Sequence, residues 1–550
     1  MRHKGLKVAL LFSTLLLFSC TKNDKTTTSS KFTTTTTFST TATVVKSFNV
    51  TFDTNGHGVE PNKIENVISL PNELPVLSDV LCYRFAGWYK NKGCTADLKA
   101  SAGELLTGNL TLYAKWEEIV KSNNIDSYID SLMDETSNFI PSWSKEGFKG
   151  RLNYIDGVFL KSLLECYEEY KDIDSSKANK YKEFVKNYVN YYISDDGTFI
   201  YYDRTTFEKT IDNALGFKSG ELDSICASSI LFKLNELYDD SRYLTAINYT
   251  YNELMKHGRL NESTDLKVNF EHKEVYANQI WLDGMYMYVP FYAEYAKNNS
   301  DSNAFEYIKC HYQTIREKMR DEKTGLYYHG YDGSSGEKAF WASENGTSKS
   351  FWLRSTGWLI ASLVDSIEYF PEGDNRDYLI DMLNEAVASL IKYKDEKTSM
   401  FYQVIDKGGQ KVLVSKEQFE AAKNKAYQKN GEYVDAYVDN YVETSGSSMV
   451  AYVLLKGARL GYLSSEYYSE GIKVFEGIYN HSLKIDGNSF VLSNICKVGG
   501  LGDSTGNGSV IRDGSFAYYL SEEVVSNDAK GVGPFIMAYV EYTKYKQKNA

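Results

Sequence analysis

The sequence contains little proline, few cysteines and no excess of basic charge, and each shortage narrows the class of protein. Only 7 of the 550 residues are proline, which suits long helices because proline removes a helical N–H and clashes with the preceding turn. The formal net charge of −12 argues against a nucleic-acid-binding protein, whose affinity comes mostly from basic side chains that contact phosphate. We therefore expect no nucleic-acid partner.

The 7 cysteines show no short spacing typical of a metal site, so we expect no metal ion and no other cofactor. Cys82 and Cys94 could pair within one small module, and the sequence leaves this open. The later cysteines stand in largely apolar surroundings and are predicted to pack as small apolar side chains.

The N-terminus has the features of an export signal. Three basic residues precede the apolar run 8–18, which is too short for a durable membrane span. The run leads into Leu17-Phe18-Ser19-Cys20, which resembles a bacterial lipobox and implies acylation of Cys20. The alternative is an ordinary signal peptide that happens to end in cysteine. We expect an exported protein that is attached to the bacterial cell membrane, at the cell surface, by its lipid anchor only.

Composition divides the chain into four predicted segments. These are a signal peptide (1–20), a disordered tether (21–46), a β module (47–117) and a helical domain (118–550). Within residues 26–43, 14 of 18 side chains are Ser or Thr, and such a stretch cannot bury a core. The predicted helical domain alone has a formal net charge of about −16, when Lys, Arg, Asp and Glu are counted as for the whole chain.

The β module alternates apolar and polar residues in short stretches and contains a turn signal at residues 53–56. Its phrases Phe52-Asp53-Thr54-Asn55-Gly56, Phe85-Ala86-Gly87-Trp88-Tyr89 and Leu112-Tyr113-Ala114-Lys115-Trp116 resemble the Listeria–Bacteroides (internalin-type) repeat. The resemblance implies a small β-grasp-like surface module, commonly a spacer or adhesion unit. It also implies a contact with the cell surface or with polysaccharide through residues 47–117.

The remainder of the chain shows apolar residues three and four positions apart, as in amphipathic helices. A long all-α chain of regular hairpins that is exported and rich in Tyr indicates an α/α toroid with an open funnel at its loop ends. The predicted helices are 125–139, 158–170, 178–192, 224–238, 243–255, 285–297, 304–319, 357–369, 378–392, 445–460, 468–481 and 531–545.

Ionisable side chains stand next to aromatic ones in a few of the connecting segments. Asp283 lies in Trp281-Leu282-Asp283 just before an apolar helix, where it could instead serve as a helix N-cap. His329 follows two tyrosines, and Arg354 lies between Trp352 and Trp358. Such an arginine can bind a carboxylate with two hydrogen bonds, although a cation–π contact at the surface is the simpler interpretation.

Taken together, six phrases resemble the unsaturated rhamnogalacturonyl hydrolases of glycoside hydrolase family 105, relatives of the family 88 unsaturated glucuronyl hydrolases. The resemblance covers residues 143–542 and implies an all-α (α/α)6 barrel. The phrases are Trp281-Leu282-Asp283, Gly325-Leu326-Tyr327-Tyr328-His329, Trp352-Leu353-Arg354-Ser355-Thr356-Gly357-Trp358, Glu443-Thr444-Ser445-Gly446-Ser447, Arg512-Asp513-Gly514-Ser515-Phe516 and Asn527-Asp528-Ala529-Lys530-Gly531-Val532-Gly533-Pro534-Phe535.

This resemblance also implies the roles of individual residues. Asp283 matches the acid/base carboxylate, and Asp223 matches a second active-site carboxylate, with Asp212 as a weaker rival. The implied substrate-lining residues are His272, His329, Trp352, Arg354, Trp358 and Tyr154. Two departures put the exact sugar in doubt: Ser355-Thr356-Gly357 replaces the commoner Gly-Asn-Gly, and a Lys-rich stretch at 408–433 enlarges one loop.

The implied function is hydrolysis of an oligosaccharide that ends in a 4,5-unsaturated uronic acid, namely unsaturated galacturonate on rhamnogalacturonan fragments. Asp283 would protonate C4 of the double bond and take a proton from the water that adds at C5. This role calls for a raised pKa, to which the nearby Asp223 would contribute. The alternatives are an unsaturated glucuronyl hydrolase that acts on other lyase products, or a catalytically silent surface lipoprotein that binds polysaccharide.

Overall fold

The computed structural model describes residues 46–136, 141–211, 213–259, 269–502 and 512–549. The predicted signal peptide with Cys20, the tether up to residue 45, and Asp212 lie outside these ranges. Within the described ranges, none of the helices is both long enough and apolar enough to cross a membrane.

The N-terminal module is a four-stranded sheet with strand order β2-β1-β4-β3, in which β1 and β4 are parallel and the other pairs antiparallel. Alternation along β1 and β4 directs Val50, Phe52 and Leu112 into a small core with Trp88. The indole N–H of Trp88 donates to the carbonyl of Pro75 (2.7 Å). The strands are β1 (Phe48–Asp53), β2 (Ile64–Val67), β3 (Tyr83–Tyr89) and β4 (Leu110–Glu118).

The rest of the chain is predominantly helical. Its helices are α1 (Ser122–Asp134), α2 (Tyr154–Tyr170), α3 (Ser175–Asn190), α4 (Asn213–Gly216), α5 (Asp223–Cys226), α6 (Ser229–Tyr238), α7 (Ser241–Lys256), α8 (Leu282–Asn299), α9 (Ser302–Met319), α10 (Leu353–Ser366), α11 (Asp374–Leu390), α12 (Lys416–Ala422), α13 (Thr444–Arg459), α14 (Glu466–Ser482), α15 (Phe516–Ser521) and α16 (Ala529–Asn549).

Short strand pairs connect these helices. The strands are β5 (Ile200–Tyr202), β6 (Lys209–Ile211), β7 (Gln279–Trp281), β8 (Gly330–Asp332), β9 (Lys411–Val414), β10 (Gln428–Lys429), β11 (Glu432–Tyr433), β12 (Ala436–Asp439), β13 (Leu483–Asp486), β14 (Ser489–Leu492), β15 (Ile495–Cys496) and β16 (Val524–Val525). They pair as β5–β6, β7–β8, β9–β12, β10–β11, β13–β14 and β15–β16.

Six inner positions form a closed ring, in the order α2, α5 with α6, α8, α10, α13 and α16, and α16 packs back against α2. Helices α3, α7, α9, α11 and α14 each pack outside the inner helix that precedes them. Helix α1 takes the remaining outer position, where Asp126 accepts a hydrogen bond from Tyr539 of α16 (3.5 Å). The predicted (α/α)6 barrel is therefore confirmed.

Burial explains which helices lie inside. All residues of α10 are buried, so this helix has partners on every side, whereas α14 buries one stripe that includes Ile472, Phe475 and Ile478. The helix predicted over residues 224–238 is in fact two, α5 and α6. They are separated at Ala227, which lies against Gly157 of α2. The two backbones are so close there that a Cβ on Gly157 would lie 2.7 Å from Cα of Ala227.

The sheet module is packed against the barrel at α14. The backbone N–H of Cys82 donates to Oε1 of Glu476 (3.1 Å). Just after the module, at the N-cap of α1, the backbone N–H of Lys121 donates to the hydroxyl of Tyr479 (3.3 Å). Cys82 belongs to this contact, and neither Cys82 nor Cys94 is in a disulfide. The disulfide that the sequence left open is therefore not formed in the structure.

Candidate active site

The N-terminal ends of the inner helices surround a cavity of about 480 Å³. Tyr154 begins α2, Asp223 begins α5, and Asp283, Arg354 and Lys530 are the second residues of α8, α10 and α16. All five line the cavity. Because helix N-termini carry partial positive charge and free N–H groups, this end of the ring favours an anionic ligand.

Asp283 is held inside its helix rather than at its cap. The N-cap position of α8 is Trp281, at the end of β7. Strand β7 pairs with β8, and the backbone N–H of Leu282 donates to the carbonyl of His329 (3.0 Å). This pairing places Nε2 of His329 2.9 Å from Oδ2 of Asp283. The N-cap interpretation of Asp283 is therefore wrong.

The contact with His329 decides the protonation of Asp283. Burial of the carboxyl favours its neutral form, but His329, together with His272 and Arg354, outweighs burial and lowers the pKa of Asp283 below its ordinary value. The sequence-based expectation of a raised pKa is thus wrong for the ligand-free protein. Asp223 is not among the main groups that shift this pKa, and its Oδ2 accepts a hydrogen bond from Nζ of Lys273 at 2.6 Å.

Several buried polar atoms around Asp283 make no well-aligned hydrogen bond within the described part of the chain. They are Oδ2 of Asp283, Nε2 of His329, Nδ1 of His272 and Nε of Arg354. Burial lowers the pKa of His272 to about 3, so this ring is neutral at ordinary pH. Oδ2 of Asp283 and Nε2 of His329 face each other, whereas His272 and Arg354 line the cavity. Because buried polar groups are nearly always paired in folded proteins, the unpaired atoms of His272 and Arg354 mark the position of a polar ligand.

Aromatic side chains form the walls of the cavity. Trp281 stacks on His272, with ring centres 4.4 Å apart, and Trp358 packs against Tyr286 at 4.7 Å. Trp352 is fixed by a hydrogen bond from its indole N–H to Gln403 (3.2 Å). With 6%, 1% and 2% of their surfaces exposed, Trp281, Trp352 and Trp358 are packed into the wall and leave little ring surface for a sugar.

Arg354 is buried in the floor of the cavity, with only 2% of its surface exposed. Its Nη1 donates to Oγ of Ser445 (3.2 Å) and to the carbonyl of Cys496. The guanidinium lies 4.6 Å from the Trp352 ring, so the cation–π contact exists, but within the wall rather than at the surface. No carboxylate within the described residues forms an ion pair with it, which leaves its charge available to a ligand.

Sequence reasoning missed several charged residues of the cavity. Nζ of Lys530 lies 2.7 Å from Glu146 and 2.9 Å from Asp528, and Arg512 lies 3.6 Å from Glu522. Three of these residues, Arg512, Asp528 and Lys530, belong to phrases that carry the family resemblance, but the resemblance assigned them no role.

The charged lining has an excess of cations. Seven cationic side chains line the cavity against four carboxylates, which favours an anion despite the acidic chain. The cations are Lys149, Arg151, Lys218, Lys273, Arg354, Arg512 and Lys530, and the carboxylates are Glu146, Glu221, Asp223 and Asp283.

The structure brings most of the predicted site residues together. Those that line the cavity are Asp283, Asp223, His272, Trp352, Arg354, Trp358 and Tyr154. His329 does not line it: its side chain has no exposed surface and lies behind Asp283. His329 therefore contacts the carboxylate rather than the cavity.

Both parts of the chain match known families. The family model described as Glycosyl Hydrolase Family 88 matches residues 124–415 and 427–546. The Listeria-Bacteroides repeat domain matches residues 48–115.

Similar proteins fall into the same group. The chain is 33% identical over 261 residues to a 24.9 kDa protein in the picA locus of Rhizobium radiobacter, covering 46% of this chain and 97% of that protein. It is 30% identical to a family 105 glycoside hydrolase of C. acetobutylicum, whose structure has a TM-score of 0.61 and covers 77% of this chain and 100% of its own. A possible family 105 member from Salmonella enterica, 18% identical with a TM-score of 0.54 and coverage of 78% and 94%, shares the fold.

Proposed function

The chain belongs to Glycosyl Hydrolase Family 88, and from this membership and the cavity we propose that it removes a terminal 4,5-unsaturated uronic acid from oligosaccharides. As substrate we propose unsaturated galacturonate on rhamnogalacturonan fragments. The family and repeat matches confirm both resemblances drawn from the sequence, and they make the protein a glycosidase. The proposal depends on one observation, that the carboxylate of Asp283 lines a cation-rich cavity and is contacted from behind by His329.

The terminal sugar of such a substrate contains a C4=C5 double bond next to its ring oxygen. Protonated Asp283 gives its proton to C4, and the positive charge that develops at C5 is shared with the ring oxygen. Water adds at C5 and loses a proton to the Asp283 carboxylate, which restores the acid. The resulting hemiketal opens to a ketone at C5, and the hemiacetal then left at C1 collapses to an aldehyde and releases the remaining oligosaccharide as an alcohol.

Positive charge at the bottom of the cavity supports binding of the uronate. Arg354 lies beside Trp352 with its Nε unpartnered, and the N-termini of the ring helices point at the same space. A uronate bound there would bring negative charge towards Asp283 and raise its pKa, since like charges disfavour ionisation. Substrate binding would thus supply the proton-carrying form that the ligand-free protein lacks.

Asp223 is suited to a different task from Asp283. Its Oδ2 already accepts from Lys273, and Lys273 also lies 3.6 Å from Glu221. A carboxylate that is paired with a lysine can also accept hydrogen bonds from water or from sugar hydroxyls. We propose that Asp223 orients the substrate or the attacking water.

The test is the substitution Asp283→Asn, which keeps the size of the side chain and removes its proton transfer. Incubation with lyase-generated rhamnogalacturonan fragments should abolish the loss of near-UV absorbance of the double bond. Asp381→Asn, the same change at an exposed position on outer helix α11, is the matched control and should leave turnover unchanged. Full turnover by the Asp283 variant would refute the assignment.

The same assay distinguishes the alternative functions. Fragments of glycosaminoglycan, ulvan and arabinogalactan with unsaturated glucuronate test whether the enzyme prefers other lyase products. If the folded wild-type protein converts none of these substrates, it is a silent polysaccharide-binding protein instead.

We also propose that the enzyme is exported and held at the membrane by a lipid on Cys20, with the sheet module contacting the cell surface or polysaccharide. The basic residues and the apolar run before Cys20 support this. Fractionation of cells that produce the full chain tests it, since an anchored enzyme sediments with membranes.

A further inference from the structure

Tyr519 lies behind the catalytic cavity and touches His329. Its hydroxyl is 2.7 Å from Nδ1 of His329, whose Nε2 is 2.9 Å from Oδ2 of Asp283. Neither Tyr519 nor His329 has exposed surface, and neither lines the cavity. Asp283, His329 and Tyr519 therefore form a chain of contacts that leads from the carboxylate into the protein interior.

The surroundings hold Tyr519 in place. Its ring stacks on Trp352, with centres 5.7 Å apart and an angle of 15° between the planes. Its backbone carbonyl accepts a hydrogen bond from Gln403 (3.2 Å), and Ser515 caps the short helix α15 that carries it. Because ring and backbone are both fixed, the hydroxyl is positioned for His329.

The chemistry of the three groups links their protons. When Asp283 is ionised it only accepts hydrogen bonds, so a neutral His329 carries its proton on Nε2, and Nδ1 accepts from Tyr519. When Asp283 carries a proton on Oδ2, it can donate to Nε2, and His329 then carries its proton on Nδ1 and donates to Tyr519. A hydroxyl is both donor and acceptor and satisfies Nδ1 in either state.

We propose that Tyr519 is a positioning residue that lets His329 change tautomer in step with the protonation of Asp283. The proposal rests on the proposed function, in which Asp283 alternates between acid and base. Other charged or titratable groups are close: His272 and Arg354 face Asp283, and Asp513, Cys496 and Glu522 lie near Tyr519. Within the described residues, Nδ1 of His329 is hydrogen-bonded to the hydroxyl of Tyr519.

Replacing Tyr519 by Phe removes the hydroxyl and keeps the stacked ring. An unpaired buried N–H is less well tolerated than an unpaired acceptor, so the variant should favour the tautomer with its proton on Nε2. That tautomer stabilises ionised Asp283, so the pKa of Asp283 falls further. We expect kcat to fall about tenfold at neutral pH, from the loss of one buried hydrogen bond, with KM unchanged. The descending limb of the pH–rate profile should move to lower pH.

The protein contains a matched control in a second buried Tyr–His pair. The hydroxyl of Tyr288 lies 2.8 Å from Nδ1 of His311, whose Nε2 meets no hydrogen-bond partner within the described residues, and neither residue lines the cavity. Tyr288→Phe removes the same hydroxyl from the same kind of pair. It should reduce stability as Tyr519→Phe does, with kcat and the pH–rate profile unchanged.

A measurement without substrate separates this proposal from the proposed function. In the wild-type protein labelled with ¹⁵N-histidine, with His329→Asn used to assign the signal, Nε2 of His329 should carry the proton that faces Asp283, and Nδ1 should accept from Tyr519. A proton on Nδ1 would overturn the proposal, as would an unchanged kcat in a folded Tyr519→Phe variant. If the wild-type protein converts no unsaturated uronide, the proposed function fails. The tautomer measurement needs no substrate, so it still tests the arrangement of Asp283, His329 and Tyr519 independently.

Discussion

At the scale of single residues, the proposed chemistry depends on how Asp283 acquires a proton. In the ligand-free protein His329, together with His272 and Arg354, outweighs burial and keeps the pKa of this carboxyl low. A general acid works best when its pKa lies near the operating pH. In the proposed mechanism, the low pKa therefore makes protonation of Asp283 depend on the anionic substrate, whose carboxylate raises the pKa of Asp283 as it binds.

The contact with His329 can be removed selectively. In His329→Asn the shorter side chain still offers a polar group near the position of Nδ1, but none near that of Nε2. Burial then dominates, so the pKa of Asp283 rises and a larger fraction is protonated at any given pH. The descending limb of kcat/KM against pH should move to higher pH, opposite to the shift expected for Tyr519→Phe. A shift in the same direction for both variants would contradict this account.

Sequence reasoning identified the residue types of the site better than their contacts. Asp283 and Arg354 could be named because their local phrases are distinctive. The contact of His329 with Asp283 arises from the pairing of β7 with β8, and these three-residue strands are too short to show a period of two. Lys530 reaches the cavity only because the last inner helix closes the ring beside the first, which local sequence does not indicate.

At the scale of elements, helix α12 lies outside the part of the chain that matches the family. The family match leaves out residues 416–426, which contain α12, and the Lys-rich stretch predicted to enlarge a loop spans the same region. Ser415 and Gln418 form a capping box at its start, and Phe419 is fully buried against Leu520 of α15. The insertion is therefore a folded support for α15 rather than a loose loop.

Asn424 joins the insertion to the end of α15. Its Nδ2 donates to the carbonyls of Ser521 (3.0 Å) and Glu522 (3.2 Å), and the side chain is 4% exposed. Asn424→Ala should lower the free energy of unfolding by about 1–3 kcal/mol, because it leaves two buried carbonyls without that donor. It should also lower kcat, since α15 carries Tyr519. Urea unfolding and the absorbance assay measure both effects.

The control for Asn424 is Glu420→Ala on the exposed face of α12, which should change neither quantity. Equal stability of the Asn424 variant and wild type would show that the insertion does not support α15.

Helix positions follow from sequence more reliably than the joints between helices. The predicted helix 304–319 and the observed Ser302–Met319 agree closely, because a 3.6-residue apolar period over four turns is a strong signal. The break between α5 and α6 was missed, since Ala227 and Ser228 are compatible with a helix. It results from the approach of Gly157 on a neighbouring helix, and so from tertiary packing.

At the scale of the whole molecule, the joint between sheet module and barrel centres on a buried carboxyl. Glu476 of α14 accepts hydrogen bonds from the backbone of Cys82 (3.1 Å) and the hydroxyl of Tyr542 (3.2 Å). Burial raises its pKa to about 7, although both hydrogen bonds favour the ionised form, and Asp79 of the module raises it further. The sequence predicts a spacer module and does not indicate this contact between the module and the barrel.

The raised pKa makes the joint sensitive to pH. Below about pH 4.3, the ordinary pKa of Glu, the group is protonated in both docked and exposed states, and the full stability of the joint is present. As pH rises towards about 7, the exposed carboxyl ionises while the docked one does not, so docking weakens, by about 3–4 kcal/mol in total from the raised pKa of Glu476. Above that pH the loss is complete and stability levels off.

Glu476→Gln keeps the size and the accepting oxygen but cannot ionise, so its joint should not respond to pH in this range. Hydrogen exchange of the module strands should be equal in wild type and variant near pH 4, and faster in wild type at pH 8. Comparing the two proteins at the same pH cancels the intrinsic pH dependence of exchange. Glu466→Gln, an exposed position on the same helix, should behave as wild type at both pH values. Equal exchange at pH 8 in wild type and the Glu476 variant would mean that this carboxyl stays docked in its ionised form, and that the joint is stabilised mainly by its apolar contacts.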